Sequence, residues 1–249
     1  MDKLFIAGTD TDAGKTVVSV TLLHALQAQG RRCLALKPVA AGASWRLHEG
    51  QERWMNDDAE ALQQALATTS HQQTYDQVNP YCFADPIAPH IAAEHAEQEL
   101  VLADILQHIR TLEQLPAEIL VIEGAGGWLV PLNAQQSMAD IAVQSGAQVI
   151  LVVGLKLGCI NHALLTAAAI SASGANLVGW VANQPQPQPM VEQAANIASL
   201  TQRLSAPCLG VLPYCPTWRQ GHLVDYLATS QLLQSLLAAN SSLSPAKKA

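Results

Sequence analysis

The chain has 249 residues, long enough to bury a sizeable core as one domain, and with 49% hydrophobic and only 13% charged residues it is not a disordered chain. Its net charge of −7, from 20 acidic and 13 basic residues, argues against a general nucleic-acid or anionic-membrane surface, but not against a nucleotide held by local donors. Cys33, Cys82, Cys159, Cys208 and Cys215 are odd in number and form no Cys-x-x-Cys pair, so reduced thiols in a cytoplasmic protein are expected rather than disulfides or zinc.

Asp2 and Lys3 lead straight into an apolar run with no signal-peptide pattern, and no run of about eighteen apolar residues occurs. Strand-like runs are expected at residues 3–8, 33–37, 119–122, 149–153, 178–182 and 209–212. Helical patterns lie between them at 15–29, 57–67, 100–112, 138–145, 161–173 and 190–204. Continuous apolar strands alternating with amphipathic helices predict an α/β fold: a doubly wound, mostly parallel sheet with helices on both faces, in residues 1–240. Gln184-Pro185-Gln186-Pro187-Gln188-Pro189 reads as a short extended loop, and residues 241–249 read as a disordered tail.

The first strand runs into Thr9-Asp10-Thr11-Asp12-Ala13-Gly14-Lys15-Thr16, and a helical pattern follows from Val17. Strand, tight loop and helix make a phosphate cradle: backbone N–H groups and the helix dipole point at an anion. Lys15 is placed to reach the terminal phosphates of a nucleoside triphosphate, and the Thr16 hydroxyl to ligate Mg²⁺. The spacing departs from G-x-x-x-x-G-K-[ST], because Thr9 stands at the first glycine position and the glycine is one residue earlier, at Gly8. The alternative is an ordinary turn with a solvated lysine, which the strand–loop–helix context opposes.

In open parallel sheets ligands bind beyond the carboxyl ends of the strands. Lys37, Glu123-Gly124 and Asn183 fall there. Glu123, followed by Gly124-Ala125-Gly126-Gly127, is placed to meet a metal, and the glycines would let backbone approach a phosphate or substrate. Its alternative is a solvated residue of a glycine-rich turn. In Asn56-Asp57-Asp58 one aspartate is expected to serve a helix start, while another could complete the Mg²⁺ sphere. Lys37 is either a snorkelling surface residue or a counter-charge for a transferring phosphoryl group. Lys156-Leu157-Gly158-Cys159-Ile160-Asn161-His162 opens a helix whose free N–H groups suit a carboxylate; Asn161 also reads as its N-cap, and His162 as a plain helix-start residue.

In order along the chain, Gly8 to Thr16, Lys37-Pro38-Val39-Ala40, Asn56 to Ala59, Val78-Asn79-Pro80-Tyr81, Glu123 to Trp128, Lys156 to His162, Gly179-Trp180-Val181-Ala182-Asn183 and Leu212-Pro213 resemble the dethiobiotin synthetase family, a P-loop family. The resemblance implies ATP and Mg²⁺ as cofactors, 7,8-diaminononanoate and CO₂ as substrates, and a homodimer. It implies that the diamine is carboxylated to a carbamate, that ATP phosphorylates the carbamate, and that the second amine closes the cyclic urea. Carried over by position, Thr11, Asp12, Ala13, Gly14, Lys15, Thr16 and Val17 would wrap the phosphates. Lys15 and Lys37 would be the catalytic charges, and Thr16, Asp58 and Glu123 the metal ligands. Gly124, Ala125 and Gly126 would lie near phosphate and substrate. Asn183 and Gln184 would meet the adenine, with Leu212, Pro213 and Tyr214 walling its pocket. Ala41, Gly158, Cys159, Ile160 and Asn161 would receive the substrate.

Three features depart from the family, one of them the absence near Asn196 of a tyrosine that helps bind the substrate carboxylate in some members. Ala41 stands where a serine often touches the substrate, which removes a hydrogen bond of ~1 kcal/mol net. Gln184 stands where an aspartate is common, and an amide offers no carboxylate acceptor, which weakens the expected preference for ATP. The competing reading is a dimeric regulatory or partitioning ATPase of the same broad group. Those proteins carry a signature lysine four residues before the last loop glycine, where this chain has Asp10.

Overall fold

Strands buried on both faces must be apolar throughout, and the six runs singled out above assemble into one sheet. The computed structural model describes residues 1–48, 50–66 and 73–234. In chain order its elements are β1 (Asp2–Gly8), α1 (Lys15–Ala28), β2 (Cys33–Leu36), β3 (Val39–Ala41), β4 (Ser44–His48), β5 (Gln51–Met55), α2 (Asp57–Ala65), α3 (Tyr75–Val78), β6 (Tyr81–Phe83), α4 (Pro89–His95), α5 (Leu102–Leu112), β7 (Ile119–Gly127), α6 (Met138–Ser145), β8 (Gln148–Gly154), α7 (Cys159–Ala172), β9 (Leu177–Asn183), α8 (Gln193–Arg203) and β10 (Cys208–Leu212).

The main sheet has the order β10-β9-β8-β1-β7-β2, and every pairing in it is parallel. The chain builds β2 and β7 on one side of β1, then β8, β9 and β10 on the other. The winding therefore reverses at β1, and the crevice beyond its carboxyl end is where such sheets take ligands. Alternation along β1 divides the core. Leu4 and Ile6 pack with α1, α2 and α3 on one face, and Phe5 and Ala7 pack with α4 to α8 on the other. This is the doubly wound architecture expected.

The edge strand β2 is closed by a side chain. Gln73 accepts from the Ala35 N–H (2.7 Å) and donates to the Ala35 carbonyl (3.0 Å), as a neighbouring strand would. Four short strands lie outside the six runs. β3 pairs with β6 in parallel, and β4 with β5 as an antiparallel hairpin. On the hairpin, Trp45 and Trp54 stack edge to face at 5.2 Å and remain largely exposed. α3 and α4 were also not anticipated. The expected tail, 241–249, and Ala67 of the second helical pattern lie outside the described residues. Among the described residues no helix is long and apolar enough to cross a membrane.

The far edge strand, β10, is covered by the chain that follows it. Gly210 forms an antiparallel bridge with Leu227, and the Ala228 N–H donates to the Leu209 carbonyl at 2.7 Å. A Cβ on Gly210 would lie 2.2 Å from the Tyr226 carbonyl oxygen. Gly210→Ala is therefore expected to lower the unfolding free energy by about 1–3 kcal/mol, because backbone must move to admit the methyl; urea denaturation measures this.

Candidate active site

The loop between β1 and α1 contains one turn of 3₁₀ helix, Thr11–Ala13, and then Gly14 in the left-handed region (φ 89°). Gly14 is required twice over. Its φ strains any other residue, and a Cβ there would meet the Asn183 Nδ2 at 2.1 Å. That nitrogen donates to the Ala13 carbonyl at 3.1 Å, so Asn183 at the end of β9 braces the loop from the neighbouring strand end. Gly154 at the end of β8 supports it from below: a Cβ there would lie 2.9 Å from the Ala13 Cα. The Lys15 ammonium folds back over the loop and donates to the Asp10 (2.9 Å) and Thr11 (3.3 Å) carbonyls.

Beside this loop lies a buried cluster of opposite charges. The Lys37 Nζ donates to the Glu123 Oε1 at 2.6 Å and ion-pairs with the Asp58 Oδ2 at 3.3 Å. The Thr16 hydroxyl donates to the same Glu123 oxygen at 2.9 Å. Glu123 is 0% exposed, and Lys37 and Lys15 are each 5% exposed. Burial opposes the charge on Lys37, but Glu123 and Asp58 outweigh it and raise its pKa above the ordinary lysine value. Asp58 responds in the same way: burial pushes it up, while Lys37 pulls it below the usual carboxylate range. For Lys15 burial wins, and with Lys37 nearby its pKa falls to about 8.

The structure removes the snorkelling alternative for Lys37 and the solvated alternative for Glu123. It also moves Glu123. The strand does not end at Ile122; it runs on through Gly127, with Glu123 paired to Ile6. Glycines conceal this extension, since they read as a turn. Gly124 is buried and owes its lack of a side chain to packing, because a Cβ would lie 3.0 Å from the Phe5 ring. Gly126 has φ 64°, and a Cβ there would come within 3.8 Å of the Thr11 hydroxyl, so it does sit beside the phosphate loop. Ala125 is half-buried next to it.

Asn56 caps α2, its side chain accepting from the Asp58 (3.1 Å) and Ala59 (3.3 Å) N–H groups. Its own Nδ2 donates to the Ala41 carbonyl at 3.3 Å, which draws Ala41 alongside the Asp58 helix start. A support network stands behind Lys37, of which the sequence shows only the motif Val78-Asn79-Pro80-Tyr81. Asn79 donates to the Lys37 (2.8 Å) and Tyr81 (3.0 Å) carbonyls. Tyr75 donates to Asn79 and accepts from the Asn56 N–H. The signal available in the sequence is an asparagine next to a proline, Asn79-Pro80.

At the start of α7 the cap is Gly158 (φ 94°), not Asn161, which lies inside the helix and is exposed. The first helical bond runs from the His162 N–H to the Gly158 carbonyl at 3.2 Å, so the Ile160 and Asn161 N–H groups precede the ladder and can receive an anion. Cys159 instead turns its thiol into the core. Near Asn183, the Gln184 N–H donates to the Leu212 carbonyl at 2.9 Å. The Gln184 side chain is tied into its own loop, donating to the Gln186 and Pro187 carbonyls and accepting from Gln193. Leu212 is fully buried in the core, so the open part of that wall is Pro213, half-buried, and Tyr214, exposed. Thr11, Asp12 and Val17 line the accessible side of the loop and its helix.

The donor set fits a magnesium ion. Thr16, Asp58 and Glu123 offer one hydroxyl and two carboxylates, all oxygen, and the Glu123 Oε2 is buried with no hydrogen-bond partner. Among the described residues no group of three or more His, Cys, Asp and Glu side chains is arranged to hold a metal unaided. The remaining ligands would have to come from phosphate oxygens and water.

A family model described as an AAA domain matches residues 2–220. The chain is 46% identical over 210 residues to the ATP-dependent dethiobiotin synthetase BioD of Aromatoleum aromaticum, covering 84% of this chain and 89% of that one. It is 42% identical to the protein of the same name from Vibrio parahaemolyticus (94% and 98% covered) and 48% identical to that from Yersinia pestis (84% of each). Among solved structures it is similar in fold to the Aquifex aeolicus MinC:MinD complex (TM-score 0.55, 10% identity, 100% and 99% covered). It is likewise similar to Pyrococcus horikoshii MinD with Mg-ADP (TM-score 0.53, 17% identity, 99% of each). The two MinD likenesses carry the fold alone, whereas the sequence relatives match nearly end to end and the site residues stand together at the switch of the sheet. The chain belongs to the ATP-dependent dethiobiotin synthetase family, a family of C–N bond-forming cyclo-ligases.

Proposed function

We propose that this enzyme carboxylates 7,8-diaminononanoate with CO₂, phosphorylates the resulting carbamate with ATP, and closes the cyclic urea of dethiobiotin. The observation that carries the reading is the buried Lys37, held between Glu123 and Asp58 beside the Thr16 end of the phosphate loop. A carbamate is a poor electrophile because its charge is delocalised. Transfer of the γ-phosphoryl group to a carbamate oxygen releases ADP and gives a mixed anhydride. The second amine then attacks the carbonyl carbon, phosphate leaves, and the ring closes. Such transfer depends on positioning and on neutralising spread-out negative charge.

The residues divide that work. The loop N–H groups and Lys15 take the triphosphate, and Lys37 faces the group in transit. Thr16, Asp58 and Glu123 would hold Mg²⁺, which supplies charge neutralisation on the phosphate oxygens. The Ile160 and Asn161 N–H groups take the substrate carboxylate, and Ala41 borders the carbamate end. Asn183 keeps its amide NH₂ on Ala13, which leaves its oxygen to accept from the amino group of adenine. A homodimer is supported by the apolar residues left exposed around α7, Leu157 and Leu165. A cytoplasmic setting is supported by the five free thiols, of which Cys33 is buried and pushed up to about 12 by that burial. The partitioning-ATPase reading loses ground to Asp10, a carboxylate where those proteins have a lysine.

Purified protein should consume ATP only when the diamine and bicarbonate are both present; equal hydrolysis without the diamine would favour the switch-type ATPase. Lys15→Gln is expected to leave the thermal midpoint unchanged or slightly higher, since it relieves a buried charge, while cutting turnover by roughly two to four orders of magnitude. Melting curves and a phosphate-release assay read the two effects separately. Glu123→Gln is expected to move the Mg²⁺ titration of activity upward by about tenfold or more, because one ligand loses its charge; an unshifted titration would assign the acid elsewhere.

A further inference from the structure

An anion-binding loop has little use for a carboxylate, yet Asp10 sits within the loop that wraps the phosphates. Both of its carboxylate oxygens are shut off from solvent. The Lys156 ammonium ion-pairs with the Asp10 Oδ2, and the Oδ1 has no hydrogen-bond partner. Asp10 thus faces two ways. Its carbonyl accepts from Lys15 at 2.9 Å, and its carboxylate reaches across to the loop after β8. Lys156 in turn holds the start of α7, because its carbonyl accepts from the Cys159 N–H at 3.0 Å. The phosphate loop and the residue before it also meet the end of β8 itself. The Thr9 N–H donates to the Val152 carbonyl at 3.0 Å, and Gly154 lies against Ala13.

We propose that the Asp10–Lys156 ion pair is a positioning tie that locks the phosphate loop to the start of α7 and so fixes the distance between nucleotide and second substrate. It rests on the reading of the two sites given above. The side chains belong to opposite ends of the reacting assembly. Asp10 lies one residue before the 3₁₀ turn of the phosphate loop, and Lys156 lies two residues before the cap of the helix that receives the carboxylate. Neither touches the reacting atoms in this scheme. With Lys156 removed, a solvent-shielded carboxylate is left unpaired next to Lys15 and the phosphates, and the α7 loop loses its anchor.

The test is a double-mutant cycle of Lys156→Met, Asp10→Asn and the double variant, with Lys156→Arg as the conservative control. kcat/KM is measured separately for ATP and for the diamine. Lys156→Met is expected to lower kcat/KM for both substrates by a similar factor, on the order of tenfold to a hundredfold. The double variant should be no worse than the poorer single one, and Lys156→Arg should recover activity to within roughly threefold of wild type. Additive effects, a loss confined to ATP, or an arginine variant no better than methionine would overturn the tie. Lys156 is itself half-exposed, so its variants keep the core intact, and the arginine control retains the pair if methionine impairs folding. A wild type that fails to turn over the diamine counts against the proposed function. A wild type that turns it over, with an additive cycle, counts against the tie alone.

Discussion

A lysine and a glutamate buried against each other, Lys37 and Glu123, govern the rest of the site. Taking either charge out of water alone costs several kcal/mol, by order of magnitude. The fold can hold both only because they meet at 2.6 Å, with Asp58 and the Thr16 hydroxyl completing the cluster. Each of the four comes from a different element: the end of β2, the middle of β7, the first turn of α2 and the first turn of α1. The pairing therefore fixes how these elements meet. In return, a cation and a carboxylate are held, already desolvated, next to a phosphate cradle, where electrostatic interactions are stronger than in water, with the half-exposed Asp58 at their edge.

The sheet explains why these elements converge. Because the winding reverses at β1, the carboxyl ends of β7 and β8 flank that of β1, and β9 reaches the loop through Asn183. The loop is shaped by neighbours more than by its own sequence. Ala13 is held by Asn183 and pressed by Gly154, and Gly14 survives only without a side chain. These contacts shape the loop although Thr9 stands at a customary glycine position.

How much was legible follows from the same physics. The six main strands were readable because parallel strands covered on both faces are apolar without interruption, and helices such as α5 bury one regular face. The hairpin was not, since Trp45-Arg46-Leu47 and Glu52-Arg53-Trp54 mix charges with large apolar residues on a surface arm. β3 and β6 are three residues each, too short to show alternation. The continuation of β7 was hidden by Gly124, Gly126 and Gly127, of which Gly124 clears the Phe5 ring and Gly126 takes a left-handed φ within the strand. Site residue types were legible from motifs, but burial was not: nothing in the sequence distinguishes a solvated Lys37 from one sealed behind Asn79 and Tyr75. The N-cap role of Asn161 failed because Gly158 reaches a left-handed conformation at lower cost.

Glu123 lies on a central strand and pairs with Ile6 of β1, one residue past the point where the pairing with β2 ends at Ile122. Backbone in the central sheet opens less readily than backbone in a surface arm. Asp58 and Ala41 instead flank an exposed arm, the β4–β5 hairpin, whose ladder is two strands wide. The two carboxylates of one prospective metal shell thus differ in mechanical freedom. One is an immobile reference point, and whatever compliance the catalytic cycle demands must be supplied from the side of the other.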